Sequence, residues 1–154
     1  MEPGQIAPDF RLTAVDADGE REVTLADFRG RPLVLYFYPK DDTPGCTREA
    51  CSFRDLGAEF EAHGVAILGI SPDTASKHSR FIGKYTLPFP LLADEDHSVC
   101  EAYGVWKEKV NYGKTYMGFE RTTFLIDGDG VIRRVWPKVK VEGHVEAVLA
   151  AIEG

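Results

Sequence analysis

Two of the three cysteines, Cys46 and Cys51, stand five positions apart in the stretch YPKDDTPGCTREAC, just after a turn rich in proline and aspartate. The thiolate is the reactive form of cysteine, so what matters is where each sulfur sits. Cys46 falls where a loop gives way to a helical pattern, with Pro44 and Gly45 immediately before it. A helix N-terminus presents unpaired N–H groups and a partial positive charge, both of which stabilise an anion. At such a position a thiol pKa drops from about 8.5 to between roughly 3.5 and 7.5. Thr43 is placed to cap the turn, and its hydroxyl is also within reach of the sulfur or of an oxygen ligand. On residue types alone three readings stay open: a redox pair, half of a metal site, or two ordinary helix residues.

The elements that must hold these residues follow from periodicity. FRLTAVDADGEREVTL has two β-prone runs around a DADG turn and predicts an N-terminal hairpin. The nearly continuous apolar run from Leu33 to Tyr38 suits a strand buried on both faces. From Cys46 to about His63 the spacing is helical, with Phe53, Leu56 and Phe60 on one face and Gly64 as the stop. VAILGIS predicts a second buried strand, DTASKHSRFIGKY a helix, LPFPLLAD a short strand and HSVCEAYGV a short helix. RTTFLID, DGDG and VIRRVWP form a strand–turn–strand unit, and GHVEAVLAAIEG closes the chain as an amphipathic helix. A βαβ unit followed by a ββα unit, with a helix and strand between them, is the thioredoxin-like plan. The expectation is therefore an α/β fold: a central mixed β-sheet flanked by helices, with an N-terminal β-hairpin.

Composition narrows the function classes. With 154 residues, 44% hydrophobic and 28% charged, the chain fits one globular domain spanning 1–154, and no repeat or linker divides it. A net charge of −7 with no strongly basic stretch argues against nucleic acid or an anionic membrane as partner. MEPGQIAPDF lacks a basic and an apolar signal region, no run is long enough to span a bilayer, and an odd cysteine count is no secreted disulfide framework. These features make the cytoplasm the default, where thiols are kept reduced and disulfides are mostly transient. A zinc site from Cys46, Cys51, His97 and Cys100 has an H-x-x-C segment, but its C-x4-C spacing is a poor match. C-x-x-C is absent, DGDG opens no helix that could cradle phosphate, and no dinucleotide or haem motif occurs, so no cofactor is expected. His63, His78 and His144 fall on polar or terminal positions and are expected at the surface. Tyr36, Phe37 and Phe81 are candidates for an apolar collar around Cys46.

Pro39, Thr43 and Cys46 stand in a P-x-x-x-T-x-x-C arrangement that resembles the peroxiredoxin active-site motif. TPGCTREACSFRD and the downstream YGVWKEK…YGKTYMGFERTTFLID resemble its Q-type branch, the bacterioferritin comigratory protein group, and the similarity runs essentially the length of the chain. The resemblance implies that Cys46 is the peroxidatic cysteine attacking the O–O bond of a hydroperoxide. It implies that Thr43 holds the peroxide, that Pro39 shields and shapes the loop, and that Arg121 stabilises the thiolate and the leaving oxygen. Glu49, one turn beyond Cys46, is placed to orient that arginine. The implied partners are a hydroperoxide substrate and a dithiol donor such as thioredoxin, and the branch leans towards a monomer.

Attack leaves a sulfenic acid on Cys46 that must be resolved before it oxidises further. By resemblance Cys51 is the resolving cysteine, with Cys100 the alternative. Cys51 is preferred because it is nearer in sequence, while Cys100 fits as a small buried helix residue. Five residues of α-helix separate the two Cα atoms by roughly 8–9 Å, whereas a disulfide seldom tolerates more than about 7 Å. A Cys46–Cys51 bond therefore requires the first turns of the helix to unwind.

Overall fold

The computed structural model describes all 154 residues. A hairpin of β1 (Arg11–Asp16) and β2 (Gly19–Thr24) leads through a single 3-10 turn, Leu25–Phe28, into β3 (Leu33–Phe37). Two helices follow, α1 (Pro44–Asp55) and α2 (Gly57–Ala62), then β4 (Ala66–Ser71), α3 (Ala75–Tyr85), β5 (Leu91–Ala93) and α4 (Ser98–Ala102). A hairpin of β6 (Trp106–Asn111) and β7 (Lys114–Phe119) precedes β8 (Thr122–Ile126), β9 (Ile132–Trp136) and α5 (His144–Glu153).

Seven strands form one mixed sheet in the order β2-β1-β5-β4-β3-β8-β9. β3, β4 and β5 run parallel, joined by helical crossovers, and β8 pairs antiparallel with β3, Leu35 facing Phe124. This is the thioredoxin-like plan with an N-terminal hairpin. The structure departs from the predicted elements in two places. The segment expected as one helix to His63 breaks after Asp55 into α1 and α2, and α1 begins at Pro44, since a proline at the first helical position needs no N–H partner. The sequence reading also missed the β6–β7 hairpin, which hydrogen-bonds to no other strand. Its alternation is blurred because Val110, Tyr112, Tyr116 and Met117 are all exposed.

Strand period decides what each face of β3 does. Val34 and Tyr36 enter the core made with α1, α2, α3 and α5, while Leu33, Leu35 and Phe37 enter a second core with α4 and Phe119. Tyr36 stacks on Phe53 of α1 with ring centroids 4.6 Å apart. Opposite it in the parallel register is Gly69, where a Cβ would lie only 2.9 Å from the Tyr36 ring. The absent side chain leaves room for Tyr36 to stack on Phe53, which packs α1 over β3.

Candidate active site

β3 delivers its chain end into the loop Tyr38–Thr43 at the carboxyl edge of the sheet, where open α/β sheets place their sites. Thr43 takes the N-cap position with extended backbone, and its carbonyl accepts the first helical bond from Thr47 N at 2.8 Å. Its hydroxyl does not cap the helix; it donates to the carbonyl of Lys40 at 2.8 Å. Cys46, the third residue of α1, is 2% exposed. α1 turns Cys46, Glu49, Ala50 and Phe53 inward, so a carboxylate is buried beside the thiol and needs a cation.

Arg121, in the junction between β7 and β8, supplies that cation. Its Nη1 donates to Glu49 Oε1 at 2.7 Å and its Nη2 to Cys46 Sγ at 3.3 Å. The planar fork thereby spans two groups on successive turns of α1. The Arg121 carbonyl accepts from Val139 N at 2.9 Å, which ties the strand end to the segment after β9. Gly45 makes room for the guanidinium, since a Cβ there would stand 3.2 Å from Nη2. Burial raises the Glu49 carboxyl from 4.5 to about 7, against the opposing pull of Arg121. Glu49 Oε2 has no partner, so the carboxylate is held through one oxygen only. For Arg121, burial pushes the pKa down, but the charges of Glu49 and Cys46 more than offset it.

The structure brings Cys46, Thr43, Glu49 and Arg121 to one place. Pro39 is half-buried in the same loop. All three cysteines are free thiols, Cys51 being half-exposed further along α1. Cys100 is fully buried in α4 and belongs to the core on the opposite face of the sheet from Cys46. Burial pushes its thiol pKa far above the ordinary range, with Asp94 adding to the effect. The four residues of the zinc alternative are not gathered, and no group of three metal-ligating side chains exists. His97 is instead stacked on Trp106 and bonded to Glu101.

Three expectations need correction. Phe37 cannot join a collar around Cys46, because the period of the strand points it into the other core, whereas Tyr36 and Phe81 do share the core of Cys46. His78 is fully buried and bridges Asp41 Oδ2 at 2.6 Å and the Leu92 carbonyl at 2.9 Å. His144 is buried too, its Nε2 lying 2.8 Å from Thr123 Oγ1, and burial followed by the charge of Arg121 lowers its pKa from 6.5 to about 4. Both histidines sit in segments that look polar in sequence, yet they face inward from the first turns of α3 and α5. A further cation, Lys109 of β6, lies across Gly118, where a Cβ would be 3.3 Å from its Cδ. Its pKa is pushed down by burial and then by Arg121, with Cys46 acting the other way. The hairpin that carries it was not read from the sequence, so Lys109 was missed.

Comparison with known proteins follows the same lines. The family model described as AhpC/TSA matches residues 3–135. The putative peroxiredoxin Bcp of Coxiella burnetii is 53% identical over 152 residues, covering 99% of both chains. Peroxiredoxin Bcp of Bacillus subtilis is 50% identical over 153 residues, covering 99% of this chain and 96% of that one. Among solved structures, the Xanthomonas campestris bacterioferritin comigratory protein, studied for its alkyl peroxide reduction activity, superposes with a TM-score of 0.87. That protein is 44% identical, with 94% of this chain and 90% of the other covered. A cysteine-to-serine mutant of Xylella fastidiosa PrxQ superposes at a TM-score of 0.91, with 38% identity and 99% and 96% of the two chains covered.

Proposed function

The chain belongs to the AhpC/TSA family and is a peroxiredoxin, and from that premise we propose that it reduces hydrogen peroxide and organic hydroperoxides through Cys46, with recycling through Cys51 and a dithiol donor. The observation that carries this reading is the Arg121 guanidinium bonded at once to Cys46 Sγ and to Glu49. A permanently charged donor aimed at the sulfur also stands where charge develops on a departing oxygen, and stabilises it.

In the proposed cycle the Cys46 sulfur attacks the terminal oxygen of ROOH. The S–O bond forms as the O–O bond breaks, and RO⁻ leaves as ROH with a proton, so the sulfur is oxidised to sulfenic acid and the peroxide is reduced. Arg121 carries the charge on the leaving oxygen, Thr43 holds the peroxide hydroxyl, and Pro39 limits access of water. The Cys51 thiol then attacks the sulfenic sulfur, releasing water and forming a disulfide. A protein dithiol reduces that disulfide by exchange, becoming oxidised itself. Two facts favour Cys51 over Cys100: Cys51 is half-exposed on the helix of Cys46, while Cys100 is fully buried across the sheet. No helix is long and apolar enough to cross a membrane, and a monomer working in a thiol-reducing cytoplasm suits the cycle.

The test is peroxide consumption with a thioredoxin system by wild type and Cys46→Ser. Loss of turnover in the mutant is expected, and full activity would remove Cys46 from the reaction. Mass spectrometry of peroxide-treated protein should find a Cys46–Cys51 link; a Cys46–Cys100 link would replace the resolving residue.

A further inference from the structure

Beneath the loop that carries Thr43 lies a buried polar network that the reaction cycle does not use. Asp73 Oδ2 accepts from Asp41 N at 2.8 Å and from Ser71 Oγ at 2.7 Å. Asp41 Oδ1 accepts from Tyr38 Oη at 2.6 Å, and its Oδ2 lies 2.6 Å from His78 Nδ1. The other ring nitrogen faces the Leu92 carbonyl at 2.9 Å, and because a carbonyl only accepts, Nε2 carries a hydrogen. Asp41 and Asp73 are 8% and 6% exposed and His78 is fully buried. Burying this many polar groups is costly unless each is satisfied, and a network so closed holds its members in one arrangement.

The network meets the site through one peptide plane. The Asp41 N–H that Asp73 holds and the Lys40 carbonyl that receives the Thr43 hydroxyl belong to the same peptide unit. That unit is trans and planar, so its N–H and C=O point in opposite directions and cannot rotate independently. Fixing the N–H onto Asp73 fixes where the carbonyl points, and that direction commits the single hydrogen of Thr43. The following residue, Asp42, holds a left-handed φ of 58° and is gripped by Lys84 Nζ at 2.8 Å and Tyr85 Oη at 2.9 Å, both from α3. The loop is therefore anchored on both sides of the plane.

We propose that Asp73, supported by Ser71 and by the Asp41–His78 pair, is a positioning residue that makes Thr43 an obligate hydrogen-bond acceptor towards the substrate, an inference that rests on the proposed role of Thr43. An organic hydroperoxide has one proton, on its terminal oxygen, whereas hydrogen peroxide carries one on each of two equivalent oxygens and offers no such choice. An acceptor-only Thr43 therefore binds the organic hydroperoxide in the orientation that presents that oxygen, the one the sulfur attacks. Without Asp73 the peptide plane turns, the Thr43 hydrogen is released, and the alkoxy oxygen becomes an equally good partner.

The test is the second-order rate constant for Cys46 with hydrogen peroxide and with an organic hydroperoxide, in a double-mutant cycle. Asp73→Ala is expected to slow the organic hydroperoxide by about tenfold or more, the scale of a misplaced reacting group, and hydrogen peroxide by clearly less, because its two oxygens are equivalent. In a Thr43→Val background the same change should cost under about twofold, because coupled residues are not additive. Asp73→Asn keeps an acceptor oxygen for Asp41 N–H and should recover most of the rate. Alkylation of Cys46 by iodoacetamide, which needs no acceptor at Thr43, should stay within about twofold of wild type in Asp73→Ala. If Asp73→Ala does not fold, Ser71→Ala reads the same coupling at smaller amplitude. Losses from Asp73→Ala and Thr43→Val that multiply, or alkylation slowed as much as peroxide reduction, would overturn the positioning role. A Thr43→Val enzyme with the wild-type rate would instead remove Thr43 itself from the site.

Discussion

Arg121 Nη2 and Cys46 Sγ lie 3.3 Å apart although 75 positions separate them in the chain. The same guanidinium reaches Glu49 through its other terminal nitrogen. A lysine cannot reproduce that fork, because its ammonium is a single point on a flexible stem. Arg121→Lys is expected to lower the rate constant with hydrogen peroxide by about a hundredfold, the usual cost of losing one aimed donor. Stopped-flow measurement on the reduced protein checks this, and a rate within threefold of wild type would show that charge alone suffices.

Gly45 separates activity from stability. A Cβ there would stand 3.2 Å from Arg121 Nη2, so the guanidinium must give by a few tenths of an ångström, which disturbs its aim at the sulfur. An alanine in a helix is itself favoured over glycine by up to about 1 kcal/mol. Gly45→Ala should therefore melt at or above the wild-type temperature yet reduce peroxide more slowly. Equal activity, or a large drop in melting temperature, would contradict the close approach.

Two buried groups give opposite pH slopes. Glu49 is raised from 4.5 to about 7 by burial, so its contribution to stability is fully present below about pH 4.5 and lost as pH climbs through 7. His144 is lowered from 6.5 to about 4, again by burial, so its contribution is present above 6.5 and lost as pH falls through 4. Relative to wild type, Glu49→Gln should gain stability from pH 4.5 to 7.5, on the order of 3 kcal/mol, and His144→Gln should gain a similar amount from pH 7 down to 4. Urea unfolding of the reduced proteins at four pH values measures both. Parallel curves for the wild type and either variant would mean that group does not titrate as its burial implies.

The cysteines should also part company under oxidation. In Cys51→Ser, repeated peroxide exposure should accumulate sulfinic acid on Cys46, seen as a mass gain on its peptide, because no thiol nearby traps the sulfenic acid. Cys100→Ala should keep multiple turnover and lose only stability, roughly 1–2 kcal/mol for a small buried side chain. Turnover lost in Cys100→Ala but kept in Cys51→Ser would exchange their roles.

Much of the fold was legible because its signals are local. The run from Leu33 to Tyr38 reads as a buried strand and forms β3, Gly64 ends the helical segment in a left-handed conformation, and DGDG turns β8 into β9. The β6–β7 hairpin was not legible, since a ribbon that buries little shows no clean alternation, and Lys109 was lost with it. His78 and His144 were misjudged for a related reason. Their neighbours in sequence are polar, and only the packing of α3 and α5 against the sheet turns these two side chains inward.

The sequence by itself determined the order of the elements apart from the β6–β7 hairpin and the break between α1 and α2, the helix start at the carboxyl end of the central strand, and the presence of a thiol, a threonine and a proline within eight residues of one another. Those are short-range matters, settled by side-chain period and by the backbone limits of proline and glycine. Tertiary structure decided which long-range partners meet. It seats Arg121 against Cys46 and Glu49, places Cys100 on the far side of the sheet, and bonds Asp73 to the same peptide unit that accepts the Thr43 hydroxyl. No local pattern encodes such contacts, because strand order and the face on which each helix packs bring distant residues together, and these depend on how the whole core closes.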